Sequence, residues 1–432
     1  MKKFISNAMA VAILTVMSQM FGYLREMLFA FYLGTSTKLE AFQVAETIPL
    51  LFTQILVSAV PLALTPLLVR EQDTKSKSKL MDNGIILFGG ILLIGCIAIF
   101  SFPSAFVHIV ALGFHGEQFI LTCRLVTILA PNIFFVSMVA VFNAFLNAKK
   151  QFVIPAAVNL ILNVSIVIMQ IVTKADVKFV AAGSAIGGIL MFVITLTWCI
   201  VKYNFRFNFK NVDLESMRIM IIAILPVCII ASFTSINLMM DKFFASQLGN
   251  GAIATLSYSY KIINLPVYLF VTSVTKVMLP DITRLIAKSQ KNDLTYLIKK
   301  VLVFCVVGGI IAVIAVQLLG SWAVGLLFGR GAFSKGDVAC TTEALQIFAF
   351  GVSGMALNSF FQSVSYAGGK YFEPLKVLIV QLMIYIVIVK VFIARLGVNA
   401  IVLGNVVAIN LAIVIWLIIF RYKYDVNVLK RK

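Results

Sequence analysis

Twelve apolar runs limit what this chain can fold into more than any other feature. They lie near residues 5–34, 41–69, 83–111, 119–147, 152–172, 178–201, 218–241, 254–283, 300–328, 340–368, 374–394 and 398–421. Most exceed the roughly 20 residues that a helix needs to cross about 30 Å of hydrocarbon. Lipid offers a bare backbone no hydrogen-bond partner, so such runs read as membrane helices. Composition agrees: of 432 residues, 61% are hydrophobic and only 12% charged, about half the charge of a soluble domain. The net charge of +19 does not signal nucleic acid, because the basic residues sit in short loops between the runs. Alternate loops sort them, 24 of the 36 Lys and Arg on one side, nine on the other and three inside runs. The positive-inside rule then predicts cytoplasmic N- and C-termini, in keeping with an even number of spans. The Met1-Lys2-Lys3 start resembles a signal n-region, but the apolar run behind it is too long for a cleaved leader and reads as a retained helix.

The first run carries Arg25 and Glu26 side by side. An arginine at mid-membrane costs about 2.5–3.5 kcal/mol on insertion scales, so it must face water, a partner charge or a substrate. Thr15, Ser18, Gly22 and Arg25 recur at helical spacing and form one polar stripe, with Gln19 and Glu26 beside it. Two placements fit: the stripe lines a wet central cavity, or Arg25 snorkels toward the outer headgroups.

The chain also repeats itself. A shift of 219 residues aligns Ala148–Pro155 with Ala367–Pro374 and pairs Thr122 with Thr341, Ala130 with Ala349 and Phe142 with Phe361. Six helices separate the copies, so both keep the same orientation. The expected architecture is an all-α polytopic membrane protein of about twelve transmembrane helices. They form two parallel six-helix lobes, 1–211 and 212–432, around a central cavity, with the boundary in the polar linker 203–215.

The second lobe offers stripes of its own. Ser257, Lys261, Asn264, Tyr268, Thr272 and Thr275 follow one face of the eighth run, with Lys276 just off it and Pro266 bending the helix. Thr234, Asn237 and Asp241 end the seventh run, and Thr47, Gln54, Ser58, Pro61 and Thr65 mark the second. Arg25, Lys261 and Lys276 set against Glu26 and Glu46 leave a surplus of positive charge, which suits a phosphate or pyrophosphate. Lys261 also admits an outward, snorkelling placement. Asp241 reads either as a coupling-cation or proton site, with Asn237, or as an interfacial carboxylate paired with Lys242.

Other chemistries find no support. No phosphate-binding loop, HExxH or GxSxG occurs, and the outer loops are short. The six cysteines form no CxxC pair and read as packing, and His108 and His115 have no ligand-like neighbours, so no metal or other cofactor is expected.

Several segments resemble the MurJ (MviN) flippases. Leu326–Leu345 looks like their outer loop and tenth helix, and Asp241–Tyr258 is similar to their seventh-to-eighth helix segment. Gly22-Tyr-Leu-Arg-Glu26, Glu40–Ala45 and Met278–Arg284 fit the same family. The resemblance implies the fold of the MATE/MOP exporter superfamily. It further implies alternating-access flipping of an undecaprenyl-pyrophosphate-linked glycan, typically lipid II for peptidoglycan and cell-wall biogenesis. A flippase for capsule, O-antigen or exopolysaccharide units is the alternative, and a cation-coupled small-molecule antiporter the next. Arg25 and Glu26 match the family's first-helix pair, and Lys261 stands where an eighth-helix arginine is usual. Gln19, Thr53, Gln54 and Asn264 replace charged residues, and the twelve spans are two fewer than the usual fourteen. Pyrophosphate would engage Arg25 and Lys261, and the sugars the hydroxyls and amides of the stripes. The implied partners are the polyprenyl-linked glycan, membrane lipids and envelope-synthesis enzymes, without nucleic acid. The membrane potential or a monovalent cation would drive the step. A non-transporting scaffold for envelope assembly is the reading from outside the transporters.

Overall fold

The computed structural model describes residues 2–71, 73–208, 212–288, 290–370 and 372–423. The side chains of 2–8, 74, 75, 226, 234, 268–277, 279, 280, 287 and 291 lie outside that description. The described residues fold into fifteen helices and no strand. The first nine are α1 (Lys2–Leu33), α2 (Thr37–Arg70), α3 (Thr74–Ser101), α4 (Pro103–Val110), α5 (Gly116–Leu129), α6 (Pro131–Ala148), α7 (Val153–Thr173), α8 (Val177–Tyr203) and α9 (Leu214–Ala245). They are followed by α10 (Ala252–Ala287), α11 (Lys291–Leu327), α12 (Lys335–Ala349), α13 (Val352–Ala367), α14 (Phe372–Leu396) and α15 (Val398–Lys423). Among the described residues nine helical segments are long and apolar enough to cross a membrane, or ten if the bent pair α12–α13 is one span. The protein is thus a multi-pass membrane protein. α1 and α10, 32 and 36 residues long, are not among them; both contain residues whose side chains lie outside the description.

Three runs expected as single spans each fall on two helices, and two of them are broken there. Residues 83–111 fall on α3 and α4, with the break at Phe102, whose φ of −128° and ψ of 50° leave the helix before Pro103. Residues 119–147 fall on α5 and α6, where Pro131 opens the second helix, but the two continue as one span, Gly116–Ala148, because Ala130 between them keeps helical φ and ψ of −53° and −37°. A proline at the first helical position loses no helical hydrogen bond, so it restarts a helix at little cost. Residues 340–368 fall on α12 and α13, bent by 50°. By contrast, α2 runs unbroken through Pro49, Pro61 and Pro66.

The helix junctions give the repeat a structural form. The 219-residue shift carries Gly116, the start of α5, onto Lys335, the start of α12. It carries the end of α6 onto the end of α13, and Val153 of α7 onto Phe372 of α14.

The structure divides into two compact units, Met1–Asn250 and Gly251–Lys432. Within the first, α9 packs along α2 and therefore groups with α1–α8. The linker ahead of α9 is tied to α3: the Asp213 amide donates to Asn83 Oδ1 at 2.8 Å, and Lys79 Nζ lies 3.0 Å from Asp213 Oδ2. The Ser216 hydroxyl and the Lys79 ammonium hold the Asp213 carboxyl down at about 2. This anchor is complete above the ordinary carboxylate range and is lost as pH falls through about 2.

In the second unit, α13 and α15 meet around Trp416, Phe361 and Phe420, all fully buried. Trp416 Nε1 donates to Asn358 Oδ1 at 2.8 Å. Asn358→Ala leaves the indole N–H unpaired, a cost of about 1–3 kcal/mol. Thermal unfolding of the detergent-solubilised protein should show it as a lowered midpoint.

Candidate functional site

Arg25 is held within the first unit by three helices. Its Nη2 donates to Glu26 Oε1 at 2.8 Å and its Nη1 to Glu46 Oε1 at 3.0 Å, joining α1 to α2. The three side chains are only 16%, 11% and 28% exposed. Screening by solvent is correspondingly weak, and the fork geometry of guanidinium suits two carboxylates at once. From α7, the Gln170 amide donates to the Arg25 carbonyl at 3.0 Å. One turn-pair earlier, the Asn163 amide reaches the Ser18 hydroxyl at 3.2 Å and its carbonyl at 3.3 Å. Both pairs are 145 residues apart in sequence, so α1 and α7 run parallel with their polar stripes facing. Between them Gly22 is buried, and a Cβ there would lie 4.0 Å from Asn163 Oδ1.

A second cation enters from α9. The Lys242 ammonium donates to the Gln43 carbonyl and to Thr47 Oγ1, within the same two turns of α2 that carry Glu46. Arg25, Glu26, Glu46 and Asp241 all lie within its electrostatic reach. Within the first unit, the centre of the site therefore contains two cations with carboxylates beside them. Arg25 Nε is buried and has no acceptor among the described residues, and neither has Gln170 Oε1 a donor.

Further along α2 a pocket of about 400 Å³ opens within the first unit. Its polar lining comes from Thr53, Gln54 and Ser58 of α2, Asn159 of α7 and Ser235 of α9. Leu50, Leu162 and Met191 are among its apolar walls. Leu50 begins the pocket one helical turn beyond Glu46, so ionic cluster and pocket are neighbours along α2.

The predicted residues are distributed as follows. Arg25 and Glu26 lie in the ionic cluster, and Ser18 is half-buried against α7 rather than turned wholly to solvent. Gln19 is exposed, and Gln54 is exposed in the pocket. Asn237 and Asp241 are half-buried on α9. Lys261 and Asn264 are half-buried on α10, in the second unit. The side chains of Tyr268, Thr234, Thr272, Thr275 and Lys276 lie outside the described residues, as do the C-terminal Lys430, Arg431 and Lys432. Sequence reasoning missed Lys242, Asn159, Asn163 and Gln170. The last three share one face of α7, at i, i+4 and i+11, and Lys242 follows Ser235 by seven residues on α9.

Comparison with known proteins completes the assignment. The family model described as lipid II flippase MurJ matches residues 29–428. A probable lipid II flippase MurJ from Rickettsia prowazekii (strain Madrid E) is 24% identical over 392 residues, covering 88% of this chain and 76% of that protein. One from Rhizobium tropici is 26% identical, covering 87% and 72%. Among solved structures, a lipid II flippase MurJ in an inward closed conformation superposes with a TM-score of 0.84 at 24% identity, covering 94% of this chain and 86% of that one. An inward-facing multidrug resistance MATE family transporter of the MOP superfamily gives 0.78 at 13% identity, covering 97% and 98%. The two superpositions establish a shared fold. With the family model spanning nearly the whole chain, the protein belongs to the MurJ lipid II flippase family.

Proposed function

We propose that this protein flips a polyprenyl-pyrophosphate-linked glycan, with lipid II as the favoured cargo, from the cytoplasmic to the outer leaflet of the bacterial inner membrane. It acts as a transporter and not as an enzyme. The observation that carries the reading is the Arg25 guanidinium, held in place by Glu26, Glu46 and Gln170 with its Nε–H unpaired. A pyrophosphate oxygen is a strong acceptor for such a group. The names of the relatives that match over most of their length support the choice of cargo.

The second lobe's contribution is assigned to Lys261, Asn264 and Tyr268 on the sequence pattern alone. The lobes that rock are taken as 1–211 and 212–432; residues 209–211, at their boundary, lie outside the described residues. Both termini are placed in the cytoplasm from the distribution of Lys and Arg. Asp241 and Asn237 are assigned to a coupling cation. Net charge moved across the field adds about 2.3 kcal/mol per charge per 100 mV. Membrane lipids and envelope-synthesis enzymes are the proposed partners.

Expression in a bacterium depleted of its own lipid II flippase tests the cargo. Restored growth and cell-wall synthesis are expected. Lysis despite normal membrane insertion would exclude lipid II and leave capsule, O-antigen or exopolysaccharide units to be assayed.

A further inference from the structure

The far end of α9 meets the turn between α4 and α5 backbone to backbone. That turn runs through Gly113, whose N–H donates to the Ser246 hydroxyl at 3.2 Å. The hydroxyl gives its own proton to the Phe243 carbonyl at 2.8 Å, so towards Gly113 it is an acceptor. A Cβ at Gly113 would lie 2.1 Å from the Ser246 carbonyl oxygen and 2.9 Å from Gln247 Cα. Atoms do not approach so closely, so any side chain there would force the turn and α9 apart. Phe114, Ala245 and Ser246 around the contact are buried. At its other end α9 is pinned to α3, through the Asp213 bonds to Asn83 and Lys79.

We infer that the Gly113–Ser246 contact is a latch on the outer face, shut in this structure, which must part each time the protein opens outward. In the proposed lobes α9 begins the second, yet here it packs within the first unit. Its 32 residues make a rod of about 48 Å. With the inner end pinned at Asp213, a swing of about 10° carries the outer end about 8 Å. That is well beyond the reach of a hydrogen bond. Lys242, one turn before Ser246, can follow the start of such a swing on its flexible stem. Two backbones in contact cannot stretch in that way, so the Gly113 contact is either shut or open. It joins two neutral groups, so it opens without stranding a buried charge. The assignment rests on the flippase reading above and its topology, which place this end of α9 on the outer side.

The test uses the full-length protein in proteoliposomes. Leu112→Cys and Gln247→Cys are introduced together at exposed positions beside the contact, with the exposed Cys340 changed to Ala. Joining the pair with a short reducible bismaleimide should slow outer-leaflet exposure of fluorescent lipid II at least tenfold, and reduction should restore the rate. Either cysteine alone, treated in the same way, should leave the rate unchanged. A second measurement needs no cross-link. Ser246→Cys places a thiol under the turn, and a membrane-impermeant maleimide added outside should label it several-fold faster once lipid II is supplied. Gly113→Ala in the same chain should give that faster labelling without lipid II. Cross-linked protein that transports as fast as reduced protein would overturn the latch. So would labelling that neither lipid II nor Gly113→Ala accelerates. A native chain that exposes no lipid II would instead overturn the flippase reading beneath it.

Discussion

Arg25→Ala should abolish transport, lowering it at least a hundredfold, and should also destabilise the protein. The two effects have separate causes. Removing the guanidinium leaves Glu26 and Glu46 without the cation that both accept from. Breaking a buried ion pair from one side costs about 3–5 kcal/mol, because the remaining charge stays desolvated. Adding Glu26→Gln and Glu46→Gln to Arg25→Ala removes that charge and should restore most of the thermal stability. Transport should stay absent, because no cation then meets the pyrophosphate. A triple variant that transports would show that Arg25 serves only to neutralise the carboxylates. Arg25→Lys tests the geometry: one ammonium cannot serve two carboxylates and a phosphate in the plane of a fork, so only a small fraction of activity should remain.

The second large effect is expected at Lys242. Its ammonium joins α9 to the turns of α2 that carry Glu46. Lys242→Met removes both the charge and the donor. It should lower stability by about 1–3 kcal/mol through the bonds lost to the Gln43 carbonyl and Thr47. It should also cut transport at least tenfold, because the carboxylates are left with one cation instead of two. Lys242→Gln keeps a donor without the charge. Stability near that of the native protein with the same loss of transport is the expected result, read by thermal unfolding and flipping assays on one preparation. Full transport in Lys242→Gln would reduce the residue to a helix tether.

What could be read in advance followed from local spacing. Ser18, Gly22 and Arg25 lie on one face because helices repeat every 3.6 residues, and the sequence shows that directly. The internal repeat was visible in a few residues and is sharper in the structure, because in both copies two successive helices meet at corresponding positions, continuous in the first and bent by 50° in the second. Pro103 and Pro131 could have announced two of the helix starts, but a proline within an apolar run is equally compatible with an unbroken helix, as α2 shows three times.

The partners of Arg25 were harder to foresee. Asn163 and Gln170 look like polar residues tolerated in an apolar run until α7 is set beside α1, a tertiary fact. Lys242 sits three residues from the end of α9 beside Asp241, where an interfacial placement is the ordinary expectation. Its four-carbon stem instead reaches α2. Counting cations inside runs left out the one that enters from a helix end.

The most direct measurement is outer-leaflet exposure of fluorescent lipid II in proteoliposomes containing the purified protein. The native chain should expose it much faster than protein-free liposomes, and the Arg25→Ala, Glu26→Gln, Glu46→Gln variant no faster than they do. A native rate equal to that of empty vesicles, or a variant rate equal to the native one, would contradict the account.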